Sequence, residues 1–137
     1  MELGKGSFYT DAGADTLLGG TGFDRYYVED GFDGDYIDFG GHEIVLDNAG
    51  FSEYLIFYDT TSAVDITFTS ATGGIATNAL GHSLTFENAD AFEGAWGVGG
   101  TFDASLASFD VTFYDYGGMT SVVGSDYNDN LAAYAAD

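Results

Sequence analysis

The chain has 137 residues, 45% hydrophobic and 17% aromatic, with 23 acidic residues against two basic ones and a formal charge of −21. This length suits one domain with a core, so the acidity is not that of a disordered tail, and its sign excludes nucleic acid and anionic membrane as partners. Lys5 and Arg25 pair at most two acids, which leaves cations as the obvious counterpart of the rest.

The opening stretch MELGKGSFYT lacks the apolar run of a signal peptide. No run in the chain approaches the ~18 apolar residues of a membrane span. If the protein is exported, its address lies elsewhere in a longer parent or is carried by another route, and the Met1 start and the abrupt end in LAAYAAD are compatible with an excised fragment. There is no cysteine, so disulfides are absent. Proline is absent too, and the 21 glycines are spread along the chain at turn-like positions between strand-like runs. That pattern predicts an all-β fold of many short strands.

Residues 10–36 divide into nines. Thr10–Leu18 reads TDAGADTLL, Gly19–Tyr27 reads GGTGFDRYY, and Val28–Tyr36 reads VEDGFDGDY. Gly13, Gly22 and Gly31 fall nine apart, as do Asp15, Asp24 and Asp33. Gly40 stays in register, but His42 takes the next aspartate place.

These residues resemble the glycine-rich nonapeptide G-G-x-G-x-D-x-U-x of RTX (hemolysin-type) calcium-binding proteins, where U is a large apolar residue. The second unit fits fully, with Tyr26 at U. The first has Thr10 and Asp11 where glycines are expected. The third puts Asp35 at U, so its register slips and Tyr36 or Ile37 turns inward. Gly124–Leu131, GSDYNDNL, is similar to the family's opening of a repeat block, with Asp129 in the ligand place and Asp126 beside it.

The resemblance implies a parallel β-roll or β-solenoid in which two units make one coil, so that turns stacked on one edge lie eighteen residues apart. Asp15 and Asp33 have that spacing and would share an ion, with Asp24 on the opposite edge. Calcium takes six to eight oxygens, many from carbonyls, and glycine lets the backbone turn carbonyls inward without a Cβ clash. The expected side-chain ligands are Asp15, Asp24 and Asp33, and the expected carbonyl donors are Gly20, Gly22 and Gly31. Asp11, Glu29, Asp30 and Asp35 are accessory. Without cysteine, and with two distant histidines, zinc and copper have little support.

From residue 42 onward HEIVLD, EYLIFYD, AVDITFT, HSLTFEN and DVTFYDY alternate as strands. The expected organisation is one domain, 1–137: regular repeats over 10–41, irregular β coils over 42–123 and a degenerate repeat over 124–131. The alternative is a β-sandwich with a short β-roll segment. The only helical candidate is the tail LAAYAA. His42 and His82 each follow a glycine and read as turn-end residues bonded to backbone. Trp96, in the glycine-flanked EGAWGVGG, is read as a loop residue and a candidate sugar-binding platform, the competing reading being that the aromatics fill the core.

Together these point to a non-enzymatic, secreted or cell-surface module that folds on binding Ca²⁺. The resemblance implies type I secretion, with calcium ions and other domains of a longer parent as partners, and no membrane insertion. A calcium-stabilised carbohydrate-binding module that takes polysaccharide is the alternative. A polysaccharide lyase or epimerase fragment needs a basic residue, and only Lys5 and Arg25 are available.

Overall fold

The computed structural model describes residues 7–19, 25–29, 31–40, 53–57, 62–89, 92–96, 99–116 and 118–133. Among them the chain is all-β, with no helix. The strands are β1 (Ser7–Tyr9), β2 (Thr16–Leu18), β3 (Arg25–Val28), β4 (Asp35–Asp38), β5 (Glu53–Phe57), β6 (Val64–Phe68) and β7 (Gly74–Asn78). They continue as β8 (Ser83–Glu87), β9 (Phe92–Trp96), β10 (Gly100–Asp103), β11 (Val111–Asp115), β12 (Met119–Val123) and β13 (Asn130–Ala133).

The strands form two open sheets. One runs β1-β3-β5-β9-β11-β13, and the other runs β12-β10-β6-β7-β8-β4-β2. All pairings in the six-stranded sheet are parallel. Parallel neighbours need a long return path, and here that path passes through the other sheet. At both ends of the six-stranded sheet the return takes eighteen residues: Ser7 stands opposite Arg25, and Thr112 opposite Asn130.

The centre of the seven-stranded sheet is different. β6, β7 and β8 are consecutive antiparallel neighbours. Three passes return the chain in its starting direction, so β8 lies parallel to β4 and β6 parallel to β10. A mixed sheet of this kind fits two packed sheets better than an uninterrupted coil. The β7–β8 turn is closed by Asn78, whose Oδ1 accepts the N–H groups of Leu80 at 3.0 Å and His82 at 3.1 Å.

Inward residues of both sheets share one core, because alternate side chains of a strand face the same side. Tyr26, Leu55 and Phe113 enter it from one sheet, and Ile37, Ile66, Phe86 and Phe102 from the other. Phe102 stacks on Phe113 at 4.6 Å, and Tyr26 meets Phe39 edge-on at 4.9 Å. Among the described residues most phenylalanines are core, as is Tyr26 at the apolar place of the second repeat, whereas Tyr9, Tyr116 and Tyr127 are exposed. In the third repeat Ile37 turns inward, but Asp35, at the apolar place, stays inward with it rather than giving way.

Two sequence readings are corrected here. The described part of LAAYAA lies in strand β13, where Thr112–Asp115 pair with Asn130–Ala133; an edge on a parallel sheet outweighs alanine's helical preference over so short a stretch. Trp96 ends strand β9 opposite Asp115 and does not sit in a loop. Strands β7, β9, β10 and β12 were not read from sequence, because glycine, alanine and serine dilute their alternation. HEIVLD and His42 lie outside the described residues.

Candidate cation corner

The turn before β2 stacks on the turn before β4, and the stacking offset grows along it. The Gly13 N–H points at the Gly31 carbonyl, eighteen residues on, at 3.5 Å. Gly13 also bridges Phe32, and by the strands Thr16 stands opposite Tyr36, twenty residues on. The later turn therefore holds two extra residues. Gly34 accommodates them at φ +83°, a conformation that side chains other than glycine's rarely adopt. Its N–H is tied to the Ser83 carbonyl at 2.8 Å, which fixes the bulged turn to β8.

The extra residues decide which acids meet. Asp15 lies opposite Asp35 rather than Asp33. The Asp15 N–H donates to Asp35 Oδ1 at 2.9 Å, and the Asp15 carbonyl accepts the Tyr36 N–H at 2.8 Å. Asp35 is only 2% exposed and points inward, in the row continued by Leu84, Ala76, Ile66 and Phe102. Its Oδ2 is buried and has no hydrogen-bond partner. Burial pushes the Asp35 carboxyl above the usual carboxylate range; the charges of Asp15 and Asp33 add to this, and the N–H groups of those two residues partly oppose it.

The other predicted ligands are placed as follows. Asp15 is half-buried, and its Oδ2 accepts the Asp11 N–H at 2.9 Å, closing the turn on itself. Asp11 and Asp33 are exposed. Glu29 is half-buried at the base of the turn; its N–H approaches Thr10 Oγ1 at 3.4 Å and its carbonyl accepts the Phe32 N–H at 3.2 Å. Gly31 directs its carbonyl at Gly13. Gly20, Gly22, Asp24 and Asp30 lie outside the described residues. Among the described residues, no group of three or more His, Cys, Asp or Glu is placed so that it could hold a metal ion.

The C-terminal repeat builds a comparable corner on the six-stranded sheet. Asp129 Oδ1 accepts the Val111 N–H at 2.9 Å, across an eighteen-residue step. Ser125 Oγ lies 2.8 Å from Asp129 Oδ1 and 3.0 Å from the Phe109 carbonyl, so its single proton is shared between two acceptors. Asp110 Oδ1 accepts the Asn128 N–H at 3.1 Å. Asp126 is exposed. Sequence reasoning missed Ser125, Asp110 and Gly34. The eighteen-residue step could have found Asp110 by counting back from Asn128, whereas Gly34 carries no signal beyond being a glycine.

His82 follows the β7–β8 turn, with its backbone bonded to Asn78 and its ring edge-on to Phe32 at 6.3 Å. A pocket of about 210 Å³ opens at the β12–β13 end, lined by Phe113, Asp115, Val122, Leu131, Ala132 and Ala133. That lining holds one carboxylate and neither a base nor a nucleophile. No helix among the described residues is long and apolar enough to cross a membrane. No protein-family model, curated protein or solved structure matches the chain.

Proposed function

We propose that the chain is a non-enzymatic, RTX-like calcium-binding module of an exported protein, with β-roll ends and a sandwich-like centre, whose folding is completed by Ca²⁺. One observation carries the reading: Asp35 brings a carboxylate into the core with one oxygen unpartnered, beside Asp15 and Asp33. A buried bare carboxylate is costly and calls for a proton or a cation. The donors are hard oxygens, which suit calcium, and the eighteen-residue return equals two nine-residue units. Asp15, Asp35 and the Gly31 carbonyl would hold the ion, which supplies positive charge and ties two successive turns together. Calcium at a hundredfold excess over its Kd adds ~2.7 kcal/mol per site to the folded state. That is a large addition for a chain whose unpaired acids oppose compaction. Low calcium before export and high calcium after it would then time the folding.

The test is circular dichroism in EDTA, followed by added Ca²⁺ or Mg²⁺. The reading expects a cooperative gain of β signal with calcium and little with magnesium. Equal folding in chelator removes the switch. The polysaccharide-binding alternative keeps one observation: Tyr9, 59% exposed, stacks on Tyr27 at 4.8 Å. Polysaccharide pull-down in calcium separates the two readings.

A further inference from the structure

This inference rests on the calcium reading and concerns which acid of the third repeat meets the ion. The nine-residue spacing assigns that place to Asp33. The fold abandons the spacing there, since the offset reaches twenty at Thr16 and Tyr36 and Gly34 takes up the slack. Asp33 is left exposed on the bulge. Asp35 inherits the seat opposite Asp15, with its Oδ1 fixed by the Asp15 N–H and its Oδ2 buried without a partner.

We propose that Asp35, two residues beyond the repeat position, is the acid that binds the bridging cation together with Asp15, and that Asp33 is a solvated charge that does not ligate. On its apolar row Asp35 uses one carboxylate oxygen to accept the Asp15 N–H and leaves the other without a partner. Its ladder neighbour Leu84 and the next residue, Ala76, are the ordinary occupants of that row. An exposed acid such as Asp33 gains little by holding an ion that water already solvates, whereas an unpartnered buried oxygen gains a full ligand bond.

The experiment titrates CaCl₂ into the wild type, Asp33→Asn, Asp35→Asn and Asp35→Leu by calorimetry, and melts each protein in EDTA. Asp33→Asn is expected to bind within about fivefold of the wild type, the scale of an exposed charge. Both Asp35 variants are expected to bind at least about tenfold more weakly, the scale of one lost charge-assisted contact. Asp35→Asn, which keeps an oxygen for the Asp15 N–H, should melt in EDTA no lower than the wild type, whereas Asp35→Leu strands that N–H and should melt lower. In wild-type protein, the Asp35 ¹³Cγ resonance should move on calcium addition while that of Asp33 stays, which decides the matter even if the Asp35 variants do not fold. Calcium binding lost in Asp33→Asn and kept in the Asp35 variants, or a calcium-dependent shift at Asp33 alone, overturns the assignment and spares the calcium reading. A wild type that takes up no calcium overturns both.

Discussion

The two acid corners follow one rule and differ in one residue. At each, a carboxylate near the start of a strand accepts the backbone N–H of the residue stacked beside it one circuit earlier: Asp35 from Asp15, Asp129 from Val111. At the C-terminal corner the Ser125 hydroxyl adds a second donor, and Asp129 is half-buried. At the N-terminal corner the second oxygen lies in the core with nothing to meet it. The C-terminal corner is therefore held by two donors of the chain itself, while the N-terminal corner leaves one buried carboxylate oxygen without a donor. A motif of this kind can form a hydrogen-bonded corner from its own donors, and a two-residue bulge can leave a carboxylate oxygen buried without one.

The comparison breaks most readily at Asp129. Asp129→Ala strands the Val111 N–H and should cost about 2–3 kcal/mol in urea unfolding, equally in EDTA and in calcium. A loss seen only in calcium would show that this corner also holds an ion. Gly124→Ala places a Cβ on the Asp129 carboxylate and should cost about 1–2 kcal/mol by the same measurement, as over-packing does. Ser125→Ala removes the second donor and should cost about 1 kcal/mol; no change would mean that the hydroxyl serves Phe109 alone.

The smallest effect is in pH. The folded-state pKa of Asp35 is raised, so the stability contributed by its protonated form is present in acid and lost as pH rises through that value. Asp35→Asn does not titrate. In EDTA the variant should therefore gain on the wild type as pH goes from the ordinary aspartate range to neutrality, read from urea midpoints across that interval. A gap that stays constant with pH would show that Asp35 is not held protonated in the absence of metal.

Much of this was legible in the residues. The alternation of AVDITFT, HSLTFEN and DVTFYDY gave strands β6, β8 and β11, and the nine-residue spacing foreshadowed the eighteen-residue step between stacked strands. Asp35 reads as accessory for its weaker register, with the inward place expected to go to Tyr36 or Ile37; the fold instead keeps Asp35 inward together with Ile37. Two things were hidden. The three-pass β6–β7–β8 segment depends on pairings distant in sequence, and β7, GIATN, is too poor in large apolar residues to announce itself. The twenty-residue offset is accommodated at Gly34, one glycine among 21, whose positive φ and bond to Ser83 of β8 nothing in its neighbouring residues announces.

The most direct test of the central claim is anomalous X-ray diffraction from crystals of the protein grown in calcium. The account predicts an ion at the N-terminal corner, within about 2.3–2.6 Å of carboxylate oxygens of Asp15 and Asp35, and none bound by Asp110 or Asp129. A corner without an ion, its Asp35 carboxylate still facing only protein atoms, would contradict it.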